Sequence, residues 1–121
     1  MITKVYILTR STGDYESCFT DNIAAFLDEK KAYEYKSLME NYQMRINKSW
    51  ENMINECKPY LNQKNAGEIK MEEYMKITIP IVEKQRNEST AIIEEMNHVF
   101  GLNDYCPFKG DTYSVEEMDI K

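Results

Sequence analysis

Between Asp28 and Phe100 the apolar residues recur every three or four positions, broken by one Gly-bearing turn, and this double stripe takes up well over half of the chain. Few folds accommodate it. Ala32, Tyr35, Met39, Tyr42, Ile46, Trp50, Met53, Cys57 and Tyr60 all project from one side of a helix. Two successive four-residue steps, through Tyr42, Ile46 and Trp50, depart from strict heptad spacing, so a partner surface must unwind locally there. Asp28 marks the start, because its carboxylate can accept from the free amides of a first turn, and Glu29 suits the positive end of the helix dipole. Pro59 predicts the end, since it lacks an amide donor and pushes Lys58 away from helical dihedrals. A rod of about 30 residues would run about 45 Å.

Leu61 to Gly67 reads as the connector, with Asn62, Asn65 and Gly67 tolerating turn dihedrals, and an antiparallel return is expected. The second stripe runs through Met71, Met75, Ile79, Val82, Ile93, Met96 and Phe100, with Gly101 placed to cap the helix. Pro80 interrupts it. Either the helix kinks there, or a short helix ends near Ile77 and another begins around Pro80; the break is the expectation. Between Val82 and Ile93 the stripe positions are Arg86 and Ser89, flanked by Gln85, Asn87 and Thr90. This polar centre either faces solvent or sets Arg86, a planar five-donor fork suited to carboxylate or phosphate, in a partly buried binding site.

The flanking segments read as a small sheet. Val5-Tyr6-Ile7-Leu8 is apolar on both faces, which suits a central strand covered on both sides, with a second copy of the chain as one source of cover. A turn centred on Gly13 lets Tyr15 to Thr20 pair back, and Ile23 to Leu27 is a second short apolar run, read as an additional strand leading into Asp28. After an irregular loop, Thr112 to Ile120 resumes strand character. Tyr113 and Val115 share one face, and a bulge at Glu116-Glu117 would bring Met118 and Ile120 onto it. The expected fold is therefore α+β, one domain over 1–121: strands in 1–27, an antiparallel helical hairpin in 28–100, and a loop and last strand in 101–121, forming a small antiparallel sheet.

The chain has 121 residues, 42% of them hydrophobic and 30% charged, which is enough for one core and rules out wholesale disorder. No apolar run approaches the roughly 20 residues that cross a bilayer, and Met1-Ile2-Thr3-Lys4 lacks the order of a secretory leader, so a cytoplasmic location is expected. Cys18, Cys57 and Cys106 are odd in number and without CxxC spacing, which argues for reduced thiols and against a zinc site. A net charge of −6, with the two signs interspersed, disfavours direct nucleic-acid binding and suits a basic protein partner.

Nothing in the sequence carries catalysis. His98 stands near a helix C-terminus, where it serves as a dipole partner more often than as a base. Glu72-Glu73, Glu94-Glu95 and Glu116-Glu117 are sequence neighbours whose side chains diverge, so none makes a carboxylate dyad. No phosphate loop, nucleophile elbow or metal-ligand spacing occurs, so neither cofactor nor metal is expected. Most of the aromatic and Met stripe is explained as hairpin core. Candidate binding residues are Arg86 and Ser89 in the polar centre, Trp50 at the stutter with Arg45 nearby, and Arg10 and Tyr15 at the two ends of the first hairpin turn.

Lys4-Val5-Tyr6-Ile7-Leu8-Thr9, Gly13-Asp14-Tyr15-Glu16, Ala25-Phe26-Leu27-Asp28-Glu29-Lys30-Lys31-Ala32 and Tyr113-Ser114-Val115-Glu116-Glu117-Met118 together resemble a class of small phage and prophage proteins. In that class a first strand, a hairpin and a strand ending in Phe precede a helix, and a Tyr-x-x-Glu-Glu strand closes the chain. Tyr33 to Asp111 departs from the pattern by a large helical insertion. Some phage proteins of similar build resemble the Thoeris anti-defence sponges, whose ligand residues do not map onto this chain. The resemblance implies a non-enzymatic protein in the cytoplasm of a host bacterium that counters antiviral defence by sequestering a cyclic nucleotide-type signal. Two alternatives stand beside it: a protein–protein inhibitor of a nucleic-acid-binding defence enzyme, acting through an acidic helical face, and a structural phage accessory protein. A homodimer or higher homo-oligomer is expected.

Overall fold

A computed structural model of the chain describes residues 3–13 and 19–120. In order, the elements are β1 (Thr3–Thr12), β2 (Phe19–Phe26), α1 (Glu29–Asn65), α2 (Met71–Phe100) and β3 (Thr112–Ile120). The fold is α+β, a three-stranded antiparallel sheet with two long helices. The chain packs as two compact units, one of Met1–Met44 with Cys106–Lys121 and one of Arg45–Tyr105.

In the sheet unit β1 is the central strand, as its two apolar faces require, with β2 and β3 antiparallel on either side. Tyr6, Leu8 and Arg10 share a face with Phe26 and Tyr113 across the ladders. The first part of α1 covers that face: the Phe26 and Tyr35 rings lie 5.0 Å apart, and Gln43 accepts from the Tyr113 hydroxyl at 3.0 Å. Leu8, Ala32 and Met39 are fully buried. Asp28 caps α1 as expected, its Oδ1 accepting from the Lys30 amide at 3.0 Å.

Two strand expectations change. Ile23 to Leu27 is not a separate strand: the pairing steps from Leu8 with Ala24 to Thr9 with Asn22, so Ile23 is a bulge inside one continuous β2. Conversely, Glu116-Glu117 carries no bulge. The β1–β3 register runs unbroken from Thr3 with Ile120 to Ser11 with Thr112. Met118 and Ile120 therefore fall on the face away from Tyr113, about half exposed, because keeping every ladder hydrogen bond outweighs burying two side chains near a strand end.

Both helices pass through prolines that were expected to end them. α1 continues through Pro59 to Asn65 and α2 continues through Pro80, so residues 32–57 belong to one helix and the turn moves to residues 66–70. The carbonyls that lose a donor belong to Asn55 and Lys76, which are exposed, so water can satisfy them and the cost of each proline falls. α2 ends at Gly101 in the left-handed region (φ 62°), with the Leu102 amide donating to the Asn97 carbonyl at 2.9 Å.

Candidate functional site

Three polar contacts fix the second unit as an antiparallel hairpin: Arg45 with Glu95 (3.3 Å), Ser49 Oγ donating to Glu88 (3.1 Å) and Lys84 with Glu56 (4.0 Å). Its seam differs from the expected one. The buried residues of α2 are Thr78, Gln85, Ser89, Ile92 and Met96, whereas Met71, Met75, Ile79 and Val82 of the expected stripe are exposed. Over 71–82 the stripe chosen by hydrophobicity is the neighbouring one, whereas Met96 of the same expected stripe is fully buried in the seam. On α1, Ile46 and Ser49 are buried and Met53 is half-buried beside Ile81 and Gln85, while Trp50, Ile54 and Leu61 are exposed.

Helical geometry then separates two faces. At about 100° per residue, Trp50, Ile54 and Leu61 lie about 60–100° round α1 from Met53. Met71, Met75, Ile79 and Val82 lie about 40–120° round α2 from Gln85 in the same rotational sense. Because the helices are antiparallel, equal senses put both sets on one side of the hairpin. Arg45, Glu56, Lys84, Glu88 and Glu95 rotate the other way. One side is thus laced by polar contacts, and the other is an apolar face open to solvent. The seam between them has a polar middle, where the buried Gln85 donates to Ser89 Oγ one turn further along α2, so that each polar group is satisfied within its own helix.

The candidate residues scatter over these surfaces. Trp50 and Arg86 both lie on the open face, and Arg86 is exposed rather than partly buried, because the seam passes one residue away through Gln85. Ser89 is inside the seam, and Arg45 is on the opposite side with Glu95. Arg10 does not form a surface. It is 8% exposed and sits in a closed network, with Nη1 donating to the Cys106 carbonyl at 2.9 Å, Nη2 pairing with Asp21, Asp111 at 3.6 Å and the Phe108 ring 5.9 Å away. The covered face of β1 turns it inward. Tyr15 lies outside the described residues. The loop after α2, expected to carry binding groups, is bound down in both units. Asn97 exchanges hydrogen bonds with the Tyr105 backbone, and Gln43 and Asp111 hold the Phe108 backbone.

Three of the concavities among the described residues adjoin the helices. A cavity of about 40 Å³ beside Met53 and Gln85 has room for a single water. An open groove beside Arg45 and Lys48 includes Ala91 and Ile92, and another along the start of α1 includes Tyr33 and Leu38. None of the three combines an arginine with an aromatic ring. Among the described residues no three of His, Cys, Asp and Glu are grouped to hold a metal ion, and no helix is long and apolar enough to cross a membrane. Burial, and secondarily the neighbouring Glu56, pushes the Cys57 thiol above its ordinary pKa, which makes it a poor nucleophile. Comparisons with protein-family models, with characterised proteins and with solved structures found no match to this chain.

Proposed function

We propose that this chain is a non-enzymatic binding protein that works by protein–protein contact along its helical hairpin. In the setting implied by the phage-protein resemblance, it blunts bacterial antiviral defence by engaging a host defence protein. One observation carries this reading: in the first two-thirds of α2 the more apolar stripe, Met71, Met75, Ile79 and Val82, faces solvent while Thr78, Gln85 and Ser89 occupy the seam, which turns apolar only at Ile92 and Met96. An isolated chain gains by burying the greasier stripe, so leaving it open fits a surface meant for another protein. The open face also suits the groove-binding of helices better than it suits enclosing a small molecule.

Sequestration of a nucleotide signal is favoured by one feature, the placement of Trp50 and Arg86 on the same open face, where a ring could stack on a base and a guanidinium could pair with phosphate. The test separates the two. The purified chain is analysed by mass spectrometry for retained small molecules and, from cells expressing the defence system, for co-purifying protein. A host defence protein that is lost with Met75→Glu supports the contact reading. A retained nucleotide that is lost with Arg86→Ala supports sequestration and overturns it.

A further inference from the structure

We infer that the open face of the hairpin is occupied by a second copy of this chain, stacked across a two-fold axis at the level of Ile79. The inference rests on the reading of that face as a protein-contact surface and gives the face itself to a second copy, which leaves a host defence protein to be met by the outward side of the pair. Three observations carry it.

The first is size. Trp50, Ile54, Leu61, Met71, Met75, Ile79 and Val82 are each 36–54% exposed. Large side chains present roughly 150–250 Å² when fully open, so the face offers on the order of 600 Å². A standard interface takes about 800 Å² from each partner, and the polar rim supplies the remainder.

The second is position. The apolar residues of α2 run from 71 to 82 and those of α1 from 50 to 61, and the contacts Arg45–Glu95, Ser49–Glu88 and Glu56–Lys84 stagger the two runs so that they overlap by about one turn around Ile79 to Val82. The middle of the combined patch falls near Ile79. A two-fold axis there, perpendicular to the helices, lays α2 antiparallel on α2 of the second copy, with Met75 near Val82 of the partner subunit. An isologous contact of this kind is closed, so it stops at two copies and does not propagate into fibres.

The third is charge. Glu72 and Arg86 stand seven residues before and seven after Ile79, both at the rim of the open face. On one helix they are too far apart to pair. Across the two-fold axis, Arg86 of one copy meets Glu72 of the partner subunit, and the contact is made twice by symmetry. An unrelated partner would have no reason to match this spacing. The resulting four-helix layer buries the apolar stripes and turns the faces bearing Arg45–Glu95 and Glu56–Lys84 outward.

The test is the molar mass of the full chain by light scattering at micromolar concentration. The expected value is twice 14.3 kDa. Ile79→Glu should give a monomer that keeps its helical circular dichroism. Arg86→Glu and Glu72→Arg should each weaken the dimer at least tenfold at low salt, and the double exchange should restore it; Asn52→Glu, on the polar side, should leave it intact. A wild-type monomer would overturn the inference, as would a dimer that Ile79→Glu does not dissociate or a double exchange without rescue. If a wild-type monomer still co-purifies a host defence protein that Met75→Glu releases, only the second copy is wrong. If it binds nothing, both the inference and the contact reading fall.

Discussion

In the sheet unit a charged group is turned inward and opposite charges and a carbonyl gather round it, with Asp111 Oδ1 the buried oxygen that accepts no hydrogen bond among the described residues. Arg10 is surrounded by Asp21, Asp111, the Cys106 carbonyl and Phe108, and Asp111 also accepts from the Phe108 amide at 2.8 Å. In the hairpin unit Ile46, Ile92 and Met96 are buried, yet a run of apolar side chains is turned outward while Thr78, Gln85 and Ser89 sit in the seam. Both cost stability in an isolated chain, but they differ in reach. The Arg10 network is closed and does its work locally, tying β1 to the last loop. The open face of the hairpin is incomplete and becomes favourable only when something covers it. A buried polar cluster thus belongs to a self-contained piece of fold, and an exposed apolar stripe leaves area that a contact could bury.

Breaking the closed network should have the largest effect. Arg10→Ala leaves the buried Asp111 without its cation and should cost about 3–5 kcal/mol in urea unfolding. Stability unchanged within error would remove the contrast between the units. Next comes Gln43→Leu, which takes hydrogen bonds from the Tyr113 hydroxyl and the Phe108 carbonyl and should cost about 1–3 kcal/mol by the same measurement.

In the hairpin the seam can be made apolar. Gln85→Leu combined with Ser89→Ala removes both partners of one buried hydrogen bond within α2, so the change should stay within about 1 kcal/mol in urea unfolding. A loss of several kcal/mol would mean that the polar seam is as closed as the Arg10 network. Met75→Ser on the open face should shift stability by no more than about 0.5 kcal/mol at dilutions where the chain is monomeric, and by more as concentration rises.

The smallest effect is chemical. Iodoacetamide should label the exposed Cys106 ahead of the half-buried Cys57. Because burial holds the Cys57 thiol protonated, its labelling rate should keep climbing at pH values where an ordinary thiol has levelled off. Equal rates would mean that the α1 side of the hairpin is more open than described.

Much of the fold was legible from local chemistry. Asp28 and Gly101 announced helix ends because capping uses only a few neighbouring atoms, and Val5-Tyr6-Ile7-Leu8 announced a central strand because alternation is a local property. The prolines misled for a physical reason. Their penalty depends on whether the stranded carbonyl can reach water, and the exposure of Asn55 and Lys76 is decided by packing. The bulge expected in β3 was an inference from side chains alone, and the backbone pairing with β1 overrode it.

The site was less legible. Trp50 and Arg86 were visible as residues of an unusual kind, but nothing in the spacing told that they share a face, and Arg10 gave no sign that it would be enclosed. By itself the sequence determined the helices, the strands and their order, because these follow from periodicity and from the conformational limits of single residues. Which of two overlapping stripes on α2 becomes the seam was decided only in the tertiary structure. Adjacent stripes on a helix differ by one residue of rotation, and the choice between them depends on every contact across the hairpin at once.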